Sequence, residues 1–193
     1  IAAIWRQFCE MMRFDIAIRM ADEGRVPFAA IAQINIIDAK TPDPIRLVDE
    51  DGLTVLAMRN DHPPVVDSYA LRFDADLKSV TFSGDTRYLP SLAVFAKNTD
   101  VLVHEAMLAK GLDYVLAKTK TGDDRLKNHL LAAHSFAEQA GQIAASANVG
   151  RLVLNHLIPP ERDICSDADW QAETRRNFNG PCLVGHDGMV IEF

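Results

Sequence analysis

A handful of histidines and carboxylates stand out in this 193-residue chain because of where they fall. Asp85 follows Val80-Thr81-Phe82-Ser83-Gly84, a short β-branched and aromatic run halted by a glycine. A strand end is a rigid platform. A carboxylate just beyond it presents hard oxygen to a cation, with the Thr86 hydroxyl at hand as support. The plainer reading makes Asp85 a turn cap ahead of a helix starting near Pro90.

His62 comes after the apolar run Leu53–Met58, Glu105 after Val101-Leu102-Val103, and His156 after Leu152-Val153-Leu154. His134 stands directly before a helix N-cap. Strand ends in an α/β sheet share one rim, so residues distant in sequence can meet there. Imidazole nitrogen with carboxylate oxygen suits zinc, manganese or iron, and a shared carboxylate suits two-metal hydrolysis. Each residue also has an ordinary role open to it: a surface loop for His62, a satisfied strand end for His156, an ion pair for Glu105.

The elements that must position these groups can be read in order. Residues 1–24 have helical periodicity with Gly24 as a stop. Residues 31–37 and 45–48 are β-prone, separated by the turn cluster Thr41-Pro42-Asp43-Pro44. Leu53–Met58, Ser68–Phe73 and Val80–Phe82 read as strands, the last two forming a hairpin. Pro90 suits the first turn of a helix through Lys97. Residues 109–128 are polar and weakly patterned, with Thr119–Asp124 as a mobile loop. Ser135-Phe136-Ala137-Glu138 fits a reciprocal capping box, opening a helix that Gly150 closes. Ser166–Asp169 opens a last helix, and short strands are expected at 182–185 and 189–192. Strands and helices interleave, which places the chain in the α/β class.

Composition narrows the functions. A net charge of −7 argues mildly against a polyanionic partner. Three widely spaced cysteines, Cys9, Cys165 and Cys182, form no CxxC pair and suit a reducing compartment, so a cytoplasmic location is favoured. No apolar run reaches the ~20 residues needed to cross a bilayer.

Five stretches occur in a telling order. They are His62-Pro63-Pro64 with Tyr69–Phe73, Phe82-Ser83-Gly84-Asp85-Thr86, His104-Glu105-Ala106, Ala133-His134-Ser135 and Leu154-Asn155-His156. Together they resemble the metallo-β-lactamase superfamily, and within it the tRNase Z and arylsulfatase-like branch, over residues 53–193. The resemblance implies an αββα sandwich and a metal-dependent hydrolase. It assigns His62 to a first metal, Asp85 to a bridge between two and His156 to the second. Two divalent ions, zinc ahead of manganese or iron, would activate a hydroxide. His134, paired with Glu105, would protonate the leaving group. His104 receives no role, and His129 and His186 are left as structural or surface residues.

The chain departs from that pattern in one respect. The signature HxHxDH is absent, and no His-x-His occurs anywhere. Residues 1–24 look like the helix that follows this signature. The expectation is one domain, 1–193, lacking its N-terminal strands and HxHxDH segment and holding about half the ligands of a dinuclear site. A small ester, lactone, sulfate ester or phosphodiester is expected as substrate ahead of tRNA, because no Lys/Arg-rich arm is visible. A tRNA 3′-processing endonuclease is the alternative, and a non-catalytic binding domain of degenerate site is another. A homodimer without membrane association completes the expectation.

Overall fold

A computed structural model describes residues 1–37, 43–119 and 123–193, which fall into two compact units, 1–38 and 39–193. The turn cluster at Thr41–Pro44 and the loop at Thr119–Asp124 lie partly outside the described residues. Among the described residues no helix is long and apolar enough to cross a membrane.

The first unit is helical. Its expected single helix is two, α1 (Ala2–Met11) and α2 (Arg13–Glu23), followed by a short α3 (Phe28–Ile31). Gly24 ends α2 in the left-handed region, as its position suggested. Trp5 packs against Phe8 and Phe28 with ring centres 5.8 and 5.2 Å apart. Residues 32–37, expected to be β-prone, form no strand.

The second unit is built on one seven-stranded mixed sheet in the order β1 to β7. Two hairpins come first: β1 (Ile45–Glu50) with β2 (Leu53–Arg59), and β3 (Tyr69–Ala75) with β4 (Lys78–Phe82). Asp51 and Gly52 both have positive φ, the geometry a tight two-residue hairpin turn requires. The strands β1 to β4 pair antiparallel, whereas β5 (Val101–Met107), β6 (Arg151–Ile158) and β7 (Cys182–Val184) continue parallel from β4. Parallel pairing needs crossovers, and helices supply them. α4 (Pro90–Phe95) joins β4 to β5, with Pro90 in its first turn as expected. α5 (Ala109–Thr119), α6 (Arg125–Ala133) and α7 (Ala137–Ala147) lie between β5 and β6, and α8 (Asp167–Thr174) between β6 and β7.

Alternation along the strands decides the core. Leu102 and Ala106 of β5 and Leu152 and Leu154 of β6 point to the face shared with Leu92 and Phe95 of α4, Ile143 and Ala144 of α7, and Trp170 of α8. Six of these large side chains are essentially fully buried. Each contributes about 1.5–3 kcal/mol of transfer free energy. Arg72 on β3 clamps this layer, donating to the carbonyls of Phe95 and Lys97 at the end of α4 (3.1 and 2.9 Å).

Several boundaries differ from the sequence reading. Residues 109–119 and 125–133 are helices, because their apolar positions pack on one side although their remaining surface is polar. The capping serine is displaced: α7 begins one residue later, with Phe136 as N-cap, its N–H donating to the Gln139 side chain (2.9 Å). Asn148, in the left-handed conformation, ends α7 before Gly150 is reached. The box at Ser166 forms as expected, with the Asp169 carboxylate accepting from the Ser166 N–H (2.8 Å). Residues 189–192 form no strand.

Candidate active site

Because β2 runs antiparallel to β3 and β3 antiparallel to β4, β2 points the same way as β4, β5 and β6. The C-terminal ends of these four strands make a single rim, the place where open α/β sheets bind ligands.

His62 lies just beyond β2. Its Nδ1 is 3.1 Å from the Ala133 carbonyl. A carbonyl only accepts, so Nδ1 carries the proton and Nε2 offers a lone pair. Asp85 lies just beyond β4, on a turn the sequence makes tight. Gly84 has φ of 60°, and a Cβ there would sit 2.7 Å from the Tyr69 carbonyl oxygen. Only glycine fits that approach. The Asn60 amide donates to the carbonyls of Ser83 (2.7 Å) and Asp85 (3.2 Å), fixing the turn. The Thr86 hydroxyl bonds to the Arg87 carbonyl (2.9 Å), so the support expected for Asp85 comes from Asn60 and the backbone.

Glu105 sits inside β5 rather than at its end, since the strand runs to Met107. It is 1% exposed, and its Oε1 accepts from the N–H groups of Thr86 (3.0 Å) and Ser135 (3.1 Å) and from His134 Nδ1 (3.2 Å). Its Oε2 is buried without a hydrogen-bond partner. His134 lies between α6 and α7 in extended conformation. Its neighbour Ser135 accepts from the Met107 N–H (2.8 Å) and donates to the Thr86 carbonyl (2.7 Å), so the backbone carrying His134 is tied to two strand ends.

His156 reaches the rim by a device that spacing along the sequence does not show. β6 continues to Ile158, and in a regular strand residue 156 would share a face with Leu154. The pairing skips it: Glu105 opposes Asn155, and Ala106 opposes Leu157. His156 is the extra residue of a bulge with φ of 42°, a left-handed conformation uncommon for a non-glycine residue. Released from the ladder, its Nε2 comes within 3.5 Å of Asp85 Oδ2.

The five groups form one connected patch. His134 stacks on His156 with ring centres 5.4 Å apart and meets His62 edge-on at 5.0 Å. Two sets have ligand atoms all within 4.8 Å of one another: His62, His129 and His134, and Glu105, His134 and His156. His134 is common to both. Among the described residues, Asp85 meets His156 directly, and His62 joins His156 through His134. His129 was left aside on sequence. It lies on α6, one turn before the carbonyl that anchors His62, and no local sequence signal marked it.

Electrostatics separates the two buried histidines. Burial works against charge on His134, but its hydrogen bond to Glu105 and the negative charges of Glu105 and Asp85 outweigh this, so its pKa is raised. His104 points to the helix-covered face, fully buried. Desolvation lowers its pKa despite a 2.7 Å contact with the Glu105 carbonyl.

The donor set of imidazoles and carboxylates fits a borderline divalent metal ion. The anchored Nδ1 of His62 is the arrangement that metal-binding imidazoles use. A family model described as a beta-lactamase superfamily domain matches residues 14–157. The chain belongs to the metallo-β-lactamase superfamily. A ribonuclease Z of Mycobacterium tuberculosis (strain H37Rv) is 32% identical over 163 residues, 80% of this chain and 57% of that relative. The metallo-β-lactamase fold protein YhfI of Bacillus subtilis shares the fold with a TM-score of 0.56 and 24% identity, over 79% of this chain and 54% of that one. The short form of human tRNase Z aligns with a TM-score of 0.51 and 20% identity, over 77% and 45%. The chain spans about half the length of most of the mycobacterial relatives it matches. Within this superfamily the α/β class read from sequence is the class observed.

Proposed function

We propose that this chain belongs to a metal-dependent hydrolase that cleaves a phosphodiester of tRNA, as a 3′-processing endonuclease of the ribonuclease Z kind. The observation that carries the reading is the buried Glu105–His134 pair, set on the same rim as Asp85 and His156. A degenerate binding scaffold has no use for a histidine held ready to lose a proton. Preference for RNA over a small ester rests on the names of the relatives. It displaces the preference drawn from the acidic composition. Arg59, Arg87 and Arg162, near the rim in sequence, each face an aspartate (Asp67, Asp61 and Asp167), so phosphate attraction would come from elsewhere on the protein. A homodimer in the cytoplasm is the setting this reading implies.

His62, Asp85 and His156 would hold the metal ions, with zinc the natural occupant of such a donor set. Bound there, the ions would supply a nucleophilic hydroxide and polarise the phosphodiester. The chain's own residues do the rest. Asp85, on its fixed turn, supplies negative charge beside His156. Glu105 orients His134 through Nδ1, leaving Nε2 to carry the second proton and deliver it to the departing oxygen. We read residues 1–193 as one metallo-β-lactamase-like domain. With no His-x-His, a complete dinuclear centre would draw its remaining ligands from another segment or chain.

The test compares His134→Ala with the unaltered sequence, each in zinc-loaded protein that holds the complete dinuclear centre, on a tRNA precursor and on an aryl phosphodiester with a good leaving group. Cleavage of the precursor should fall by roughly 10²–10⁴ with metal content unchanged, and that of the activated ester far less. Equal losses on both, loss of metal, or no cleavage of the precursor by the unaltered protein would each defeat the reading.

A further inference from the structure

His129 has no part in that chemistry, and yet it stands with two residues that do. We propose that His62, His129 and His134 form a separate three-imidazole site for a single borderline divalent cation of the zinc class, an alternative to the position beside Asp85 and His156.

The geometry is that of a site nearly closed. The three rings are mutually edge-on, with interplanar angles of 72°, 69° and 88° and centres 5.7, 5.0 and 5.7 Å apart. With zinc–nitrogen bonds of about 2.0–2.1 Å and each ring centre about 1.1 Å behind its nitrogen, tetrahedral coordination puts ring centres about 5.2 Å apart. The rings already have that spacing. Their ligand atoms lie within 4.8 Å of one another, against about 3.3 Å in a tetrahedral site, so rotation of the side chains by about an ångström completes it.

Two rings are also fixed from behind. His62 Nδ1 faces the Ala133 carbonyl at 3.1 Å and His134 Nδ1 the Glu105 carboxylate at 3.2 Å. Metal-binding imidazoles are held this way, by an oxygen acceptor on the nitrogen that does not bind. One helix organises the site, since α6 carries His129 and also the Ala133 carbonyl. Three nitrogen donors suffice to begin a cation site, and none of the three is Asp85 or His156.

The two positions exclude each other. His62 has one free nitrogen and serves either position but not both. A cation on His134 Nε2 leaves no proton there, so occupancy of this site would silence the acid assigned under the reading above. That consequence rests on the proposed function; the binding site itself does not.

Cobalt(II) titration of the metal-free chain tests the proposal, read by visible absorption, with zinc competing. The unaltered chain should show an intense tetrahedral band. His129→Gln should weaken binding by more than the roughly 10–100-fold that losing an outer-shell partner costs, and His186→Gln, at an exposed histidine outside both clusters, should leave it within error. Circular dichroism of each variant checks the fold. In the unaltered chain, ¹⁵N spectra should show the His129 imidazole shifting on addition of zinc, a readout that needs no substitution. Unchanged binding in His129→Gln, an equal loss in His186→Gln, or a silent His129 resonance would overturn the site. Cobalt binding through His129, with no RNA cleavage by protein that holds the complete dinuclear centre, would instead retain this site and reject the proposed activity.

Discussion

Replacing Glu105 by glutamine isolates what the buried charge does. Oε1 accepts from Thr86, Ser135 and His134, and a glutamine with its carbonyl oxygen in that place keeps all three contacts. The charge is removed, and the partnerless position of Oε2 receives an amide NH2. Hydrogen bonds to charged groups contribute about 1.5–3 kcal/mol and neutral ones about 0.5–1.5, so the variant should lose about 1–2 kcal/mol. Glu105→Ala should lose more, about 3–5 kcal/mol, because two buried peptide N–H groups and His134 are left without an acceptor.

The diagnostic readout is His134. Without the Glu105 charge, burial outweighs the Asp85 contribution, so the pKa should fall from above its ordinary value towards or below it. The sign for stability follows. A folded-state pKa above the unfolded value gives stability fully present below about pH 6.5 and lost as pH rises through the folded pKa. In Glu105→Gln that decline should disappear. Imidazole NMR titration and urea unfolding across about pH 5–9 measure both effects. An unmoved His134 pKa in the variant, or stability of the unaltered chain that rises through this range, would refute the argument.

Three further outcomes follow from particular residues. His156→Gly should stabilise the metal-free chain by about 1 kcal/mol relative to His156→Ala, because φ of 42° strains any residue with a Cβ; equal thermal midpoints would show that the bulge is unstrained. Trp170→Ala, at a side chain 1% exposed between α8 and the sheet, should cost about 3–5 kcal/mol in denaturant unfolding, and a cost under about 1 kcal/mol would mean the helix layer collapses to fill the space. Asp169 is held at about 2 by Lys110 and the Ser166 cap, so its stabilisation is complete above the ordinary carboxylate pKa and lost as pH falls through about 2. Asp169→Asn should therefore lower the melting temperature at neutral pH and flatten its fall in acid; parallel acid limbs would sink that account.

Much of the site was legible without coordinates. Alternation and β-branching marked Leu53–Met58, Val80–Phe82, Val101–Val103 and Leu152–Leu154, which form the middle of β2, β4, β5 and β6, and the chemistry-bearing residues follow or interrupt these strands. Gly84 before Asp85 marked the end of β4, and the Tyr69 carbonyl occupies the space a Cβ there would need. These are local properties, set by sterics within a few residues.

What depends on distant partners was not legible. The bulge at His156 exists because β6 must keep register with β5 while releasing one side chain, and that register belongs to the pair of strands rather than to either sequence. The Ser135 cap was misassigned because its hydroxyl is taken by the Thr86 carbonyl, 49 positions away. His129 looked like one polar residue among many, since α6 is too weakly patterned to show its register alone. Only the packing of that helix against the rim turns it towards His62 and His134. Local sterics mark where strands lie; how far β5 and β6 run, and which side chains meet on their rim, is decided by long-range pairing and burial.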